Sequence, residues 1–293
     1  MAIGAQMTAQ AAPVVVREVA YDSRDVAAES VFVCVPGEEV DGHAFADQAV
    51  AAGAVAVVVE RELDVAVPQL VVPDARRAMG LAADAVYGSP TRELDVVGVS
   101  GTNGKTTTSF LVYAILAAAG RRPGLLGTIE RRVGGERRAA VRTTPEAAEL
   151  HRTFAEMRDV GDRSCAIEVS SHASALHRLV GVRFRVLAFT NLTQDHLDFH
   201  RSMEAYYEAK RAPFLELYEG EERPLAAVNV DDRYGRRLDE ELRSAGASPM
   251  SFAMGRAANV RPDSVAIEPP GTHLSVGGLE IYSPLRGSFN AEN

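Results

Sequence analysis

"DVVGVSGTNGKTTTSFLVYAILAAAG", residues Asp95 to Gly120, decides the fold. It opens as an apolar run of strand length and closes as an apolar segment of helix length, with Gly-Thr-Asn-Gly between them. Glycines at 101 and 104 let the backbone turn tightly and aim N–H groups inward. Lys105 can reach terminal phosphate oxygens. Thr106 can ligand Mg2+ at the start of a helix whose dipole favours anions. Strand before and helix after is the context in which such a loop cradles phosphates. The spacing is not that of the common P-loop, because counting back from Gly104 ends on Val99 where that motif needs glycine. The bland alternative is a Gly-Thr-rich turn beside a surface lysine. Gly101 to Thr107 reads instead as a nucleotide phosphate loop of a shorter kind.

Further apolar strands follow at "GLLGTI", "CAIEVS", "VLAFTNL" and "LAAVNV", separated by helix-length segments. Strands that run continuously apolar between helices indicate a parallel sheet covered on both faces. In "TTPEAAELHRTFAEMRDVG", Thr144 is placed to N-cap a helix with Pro145 at its first position. Gly120 is placed as the residue just past the helix that starts at Lys105. Beyond about Pro262 the pattern becomes short strands and turns, expected to be antiparallel.

Ahead of the loop, "VVVREV", "VFVCV", "VAVVVE" and "QLVVP" alternate with the helical "FADQAVAAG" and "RRAMGLAADAVYG". "GSPTRELD" then carries the turn residues of a boundary. The expectation is a small N-terminal α/β domain over 1–92. A P-loop-type, mostly parallel sheet with helices on both faces occupies 93–288, and 289–293 begin a linker.

The chain has 293 residues, 46% hydrophobic and 24% charged, as in a globular protein. A net charge of −9 argues against a nucleic-acid binder, which needs a basic face. Cys34 and Cys165 sit in apolar runs and read as buried, reduced thiols. No apolar run reaches membrane-spanning length and no signal peptide is visible, so a cytoplasmic protein, monomeric and away from membranes, is expected.

"GTNGKTTT" resembles the short loop of the Mur ligases and of folylpolyglutamate synthetase, enzymes that join a carboxylate to an amine at the expense of ATP. "YDSRDVAAESVFVCVPGEEVDGH" is similar to the family's N-terminal domain. There the resemblance gives Ser23, with the backbone near Glu38 and Glu39, to the UDP part of the substrate. A helix-capping Ser23 is the bland alternative. "TTPEA" resembles the branch that adds a diamino acid, and implies that Thr143 and Thr144 contact the sugar-peptide substrate. "EVSSHASALHR" is similar to the same branch and implies Glu168 as a Mg2+ anchor, with Ser170 and Arg178 on substrate. Leu176 stands where many members carry glutamine.

"TNLTQDHLDFH" implies that Asn191 approaches the nucleotide base and that His196 ligands a second Mg2+. His196 and His200, four apart, also suit zinc on a helix face, but the oxygen donors nearby favour Mg2+. His172, His177 and His200 read as structural. "YYEAKRAPF" supplies Lys210, which the resemblance implies is converted by CO2 to a carbamate that ligands metal. That reaction needs a neutral amine and therefore a desolvated site.

The resemblance implies ATP on Gly101, Thr102, Asn103, Gly104, Lys105, Thr106 and Thr107, with two Mg2+ ions held by Thr106, Glu168, His196 and the carbamate. Lys105, His196 and Lys210 would be catalytic. The reaction implied is addition of meso-diaminopimelate or L-Lys to UDP-N-acetylmuramoyl-L-Ala-D-Glu through an acyl phosphate. "LRGSFNAEN" resembles the junction to the family's third domain, so the chain is expected to be an N-terminal fragment. The rivals are the branch acting on the tripeptide precursor, and a non-catalytic protein that binds nucleotide and precursor.

Overall fold

The computed structural model describes residues 6–7, 13–37, 40–215 and 223–292. Glu38 and Glu39 lie outside the described residues. In chain order, β1 (Gln6–Met7), β2 (Glu18–Ala20), β3 (Ser30–Val33), α1 (Ala46–Ala51), β4 (Ala54–Val59), β5 (Gln69–Val71) and α2 (Ala75–Val86) come first. β6 (Asp95–Ser100), α3 (Lys105–Ala118), β7 (Pro123–Leu126), β8 (Glu130–Val133), β9 (Glu136–Ala139) and α4 (Ala147–Asp159) follow. Then come β10 (Ser164–Val169), α5 (Ser171–Ala175), β11 (Val186–Phe189), α6 (Leu197–His200), α7 (Met203–Leu215), β12 (Leu225–Asn229) and α8 (Arg233–Ser244). β13 (Met250–Phe252), β14 (Ser264–Glu268), β15 (Gly271–Val276), β16 (Leu279–Ser283) and α9 (Ser288–Glu292) end the described chain.

By compactness the chain divides into two units. The first holds residues 1–93, 145–158 and 176–182; the second holds 94–144, 159–175 and 183–293.

The first unit carries a five-stranded sheet in the order β1-β5-β4-β3-β2, parallel except for β1. Successive side chains of a strand face opposite ways, and the packing partners alternate with that period. Val31, Val33 and Val58 pack with Ala75, Ala78 and Met79 of α2 and with Ala147 and Ala148 of α4. Phe32, Cys34, Val57 and Val59 pack with Ala46 and Ala49 of α1. Both faces are covered, which is why the central strands β3 and β4 are rich in Val and Ala.

The second unit is built on an eight-stranded sheet in the order β13-β12-β11-β6-β10-β7-β8-β9. The six strands from β13 to β7 pair in parallel, and β7, β8 and β9 turn back antiparallel. Helices occupy both faces: Phe189 of β11 meets Phe214 of α7, while its neighbour Ala188 faces Thr108 of α3 across a cavity. The expected α/β class with a mostly parallel, two-faced sheet is what forms. β14, β15 and β16 make the expected antiparallel sheet. Its register places Val265, Leu274 and Ile281 in one row of one face.

Two local expectations meet the structure differently. Gly120 ends α3 as foreseen, with its N–H on Ala117 O and that of Arg121 on Leu116 O. Thr144 does not cap α4. The helix begins two residues beyond Pro145, and the Thr144 hydroxyl, 1% exposed, donates instead to Glu168 O at 2.8 Å. The hydroxyl is drawn to the end of β10, where it also accepts from the Ser170 N–H at 3.2 Å, so it bridges that strand end rather than the helix terminus.

Candidate active site

β6 lies between β10 and β11, and the chain leaves β6 to pass over β10 and form β7. Such a reversal opens a crevice at the carboxyl ends of the strands, where open α/β sheets bind ligands. Four segments converge there: the loop after β6, the Gly127–Thr128 turn after β7, the end of β10, and the Thr190–Thr193 stretch after β11.

The loop is held by stitching rather than by packing. Thr102 N–H donates to Asn191 O at 2.8 Å, Asn103 N–H to Asn191 Oδ1 at 3.0 Å, and Thr190 Oγ1 to Asn103 O at 2.6 Å. Asn191 also donates from Nδ2 to Asn103 O at 3.2 Å, so its amide clasps the loop backbone at both ends. Thr102 Oγ1 accepts from Thr193 N–H and lies 3.1 Å from the Tyr206 hydroxyl. Gly101 has φ +146, and a Cβ there would stand 1.9 Å from Thr190 Oγ1, so no other residue fits. Gly104 enters α3 at φ +87.

Two lysines meet on this loop. Lys105 Nζ donates to Gly101 O at 3.0 Å and Thr102 O at 2.8 Å, and Lys210 Nζ donates to Gly101 O at 2.7 Å. Lys210 is 1% exposed. Burial first, and then the neighbouring Lys105 charge, drive its pKa well below the ordinary lysine value, with Asp195 opposing. Lys105 is lowered too, chiefly by burial, against the pull of Glu168 and Asp195. Two lysine amines thus share one carbonyl oxygen on the loop.

Opposite them stands Glu168, 1% exposed. Thr106 Oγ1 donates to its Oε2 at 3.0 Å, so the loop threonine and the strand-end carboxylate already touch. His196 sits in the left-handed region at φ +51, its side chain 46% exposed. Its ring is edge-on to His172 at 4.9 Å and to Tyr206 at 6.2 Å. A non-glycine residue held there is strained, and such strain clusters at functional sites. His200 is buried behind it, bonded to Ser171 Oγ at 2.9 Å, its pKa pushed down to about 4 by burial and then by His172. Among the described residues no three His, Cys, Asp or Glu side chains gather as a metal site by themselves. The donors present are a hydroxyl, a carboxylate and an imidazole. They suit a hard cation that completes its shell with ligand oxygens.

Thr144 Oγ1 lies 3.2 Å from Ser170 Oγ, and Thr143 Oγ1 is 3.0 Å from Thr128 Oγ1. Thr107 lies in the first turn of α3. Beside Thr108 and Thr190 a cavity of about 350 Å³ opens, walled by apolar groups such as Ala188, Met254 and Leu274. The remaining two expected residues belong to the first unit. Ser23 donates to Gln48 Oε1 at 3.1 Å, and Arg178 pairs with buried Glu146 at 2.8 Å. Sequence reasoning missed Thr128, Thr190 and Tyr206. The signal for Thr128 was its place just past an apolar strand, the edge at which Glu168 was found.

Among the described residues no helix is long and apolar enough to cross a membrane. Residues 99–293 match the family profile of the Mur ligase middle domain, and residues 15–89 that of the Mur ligase family catalytic domain. The chain is 42% identical over 280 residues to the UDP-N-acetylmuramoyl-L-alanyl-D-glutamate–2,6-diaminopimelate ligase of Geobacillus thermodenitrificans, covering 93% of this chain and 56% of that one. The ligase of the same name from Listeria innocua is 39% identical over 289 residues, covering 96% of this chain and 58% of that one. A solved structure of a ligase of this name superposes with a TM-score of 0.82 at 26% identity, covering 94% of this chain and 57% of that one. The chain thus spans a little over half the length of these relatives.

Proposed function

The chain belongs to the Mur ligase family, and on that premise we propose that it carries the nucleotide and precursor sites of an ATP-dependent amide-forming ligase. The substrate proposed is UDP-N-acetylmuramoyl-L-Ala-D-Glu, and the residue added is 2,6-diaminopimelate, as in the names of the two relatives. The observation that carries the reading is the contact of Thr106, on the phosphate loop, with buried Glu168, facing two lysines that share the Gly101 carbonyl.

ATP phosphates lie along Gly101 to Thr107, on the N–H groups that open α3, since those of Thr102 and Asn103 are taken by Asn191, and Lys105 exchanges its two loop carbonyls for phosphate oxygens. The adenine ring suits the apolar cavity beside Thr108, at the loop that Asn191 clasps. Thr106 and Glu168 would hold one Mg2+, and His196 with carbamylated Lys210 a second; the ions would supply charge neutralisation to the transferring phosphoryl group. Lys210 suits carbamylation because burial favours its neutral amine, whose lone pair attacks CO2 while a proton leaves to solvent. Thr143, Thr144 and Ser170 orient the D-Glu arm, Ser23 takes the uridine nucleotide, and Arg178 takes a substrate carboxylate. The D-Glu carboxylate attacks the γ-phosphorus and ADP leaves. The incoming amine then attacks the acyl carbon and phosphate leaves. Holding carboxylate and γ-phosphate together replaces a costly encounter with an oriented one.

Calorimetric titration of the chain, with an unreactive ATP analogue and Mg2+ present, tests this. The dipeptide precursor is expected to bind, and the monopeptide and tripeptide precursors to bind at least about tenfold more weakly, a difference of ~1.4 kcal/mol. Preference for the tripeptide would move the substrate assignment to the next step of chain growth. No binding of the analogue at any Mg2+ concentration would overturn the nucleotide site.

A further inference from the structure

Glu168 is almost fully buried at the end of β10. A carboxylate there can rotate about its last bond, and only one rotation presents an oxygen to a cation at Thr106. What fixes it lies on the neighbouring strand. Thr128 N–H donates to Glu168 Oε1 at 2.8 Å, and Thr128 Oγ1 donates to Oε2 at 3.1 Å. One residue thus holds both oxygens, a two-point grip that a single donor cannot supply.

The register explains why this residue is there. Leu126 of β7 pairs with Ile167 of β10, so the next residues of the first strand fall beside Glu168. Gly127 permits the approach, since a Cβ at that position would lie 2.5 Å from Glu168 Oε1. The single Thr128 hydroxyl proton faces the carboxylate, so the contact at 3.0 Å with Thr143 is made by the Thr143 proton. A continuous line of hydroxyls therefore runs from Thr143 through Thr128 to the carboxylate that Thr106 also touches.

We infer that Thr128 is a positioning residue of the Mg2+–nucleotide site, holding the Glu168 carboxylate in its ligating orientation through paired backbone and hydroxyl bonds. The inference rests on the nucleotide reading above for the identity of the cation and ligand. Thr128 itself is exposed, so its replacement removes a bond without opening a cavity.

The test is calorimetric titration of the chain with an unreactive ATP analogue at graded Mg2+ concentrations, for wild type, Thr128→Val and Thr128→Ser. Thr128→Val keeps the backbone bond and loses the hydroxyl; it should raise the half-saturating Mg2+ concentration about tenfold, the scale of one bond to a charged group. Thr128→Ser should stay within about twofold of wild type, and analogue affinity without Mg2+ should be the same in all three. An unchanged Mg2+ requirement in Thr128→Val would overturn the inference. So would a serine variant as impaired as the valine one, or a Mg2+-free affinity that falls in step. Failure of the wild type to bind the analogue at all is a separate result, which removes the nucleotide site and this inference with it.

Discussion

Lys210 shows how a single side chain can be prepared for chemistry by where the fold puts it. Its amine donates to the neutral Gly101 carbonyl and has the Lys105 charge close by. In CO2-free buffer the unfolded chain keeps this proton up to about pH 10.4, while the folded chain gives it up well below that. Between those two points unfolding takes up a proton, so folded-state stability rises with pH across the window and is lowest beneath it. Lys210→Met keeps the length and removes the charge. Its melting temperature should therefore exceed that of wild type at neutral pH, by a margin that shrinks toward pH 10.4. A margin independent of pH would mean that the lysine is not held deprotonated by its surroundings. Adding 13C-labelled bicarbonate should produce a carbamate carbon resonance in wild type and none in Lys210→Met.

Among the elements, α2 carries a constraint that propensity alone would misread. Gly80 sits mid-helix, where alanine is normally favoured by about 1 kcal/mol. Yet a Cβ at Gly80 would lie 2.6 Å from Val180 O, within the same unit. Gly80→Ala should therefore destabilise the chain by about 1–3 kcal/mol in urea unfolding, opposite in sign to the helix scale. A stabilised variant would show that the 176–182 segment can move aside freely.

The same contrast separates what was legible in the sequence from what was not. β3, β4, β6 and β10 announced themselves because strands buried on both faces must be apolar throughout. The phosphate loop announced itself because tight turns and phosphate contact demand glycine, lysine and threonine in a fixed order. Glu168 followed from the family resemblance of the stretch that holds it. Thr128 stands just past an apolar strand, but its partner does not show locally: the pairing with Glu168 comes from the β7–β10 register, which no stretch of either strand spells out. Thr144 was misread for the same reason, since a short-range cap was visible and the buried carbonyl of Glu168, 24 residues away, was not.

At the scale of the whole chain, the two cysteines report on the two units separately. Cys34 lies in the first and Cys165 in the second, both free and fully buried. Burial pushes the Cys34 thiol up to about 12, and Cys165 is raised still more strongly by the same cause. Neither should react with an alkylating reagent until its own unit opens. Pulsed alkylation with peptide mapping then reads the opening of each unit in one experiment. A ligand that binds only the folded form adds about 2.7 kcal/mol at one hundred times its dissociation constant, which slows opening-limited labelling about a hundredfold. With Mg2+ and the unreactive ATP analogue at that level, Cys165 should gain the whole of this protection and Cys34 much less. Uridine diphosphate should do the reverse, because the proposed uridine contact, Ser23, lies in the first unit. Equal protection of both thiols by either ligand would show that the units open as a single cooperative body. Protection of Cys34 by the adenine nucleotide alone would contradict the assignment of the phosphate loop to the second unit's crevice.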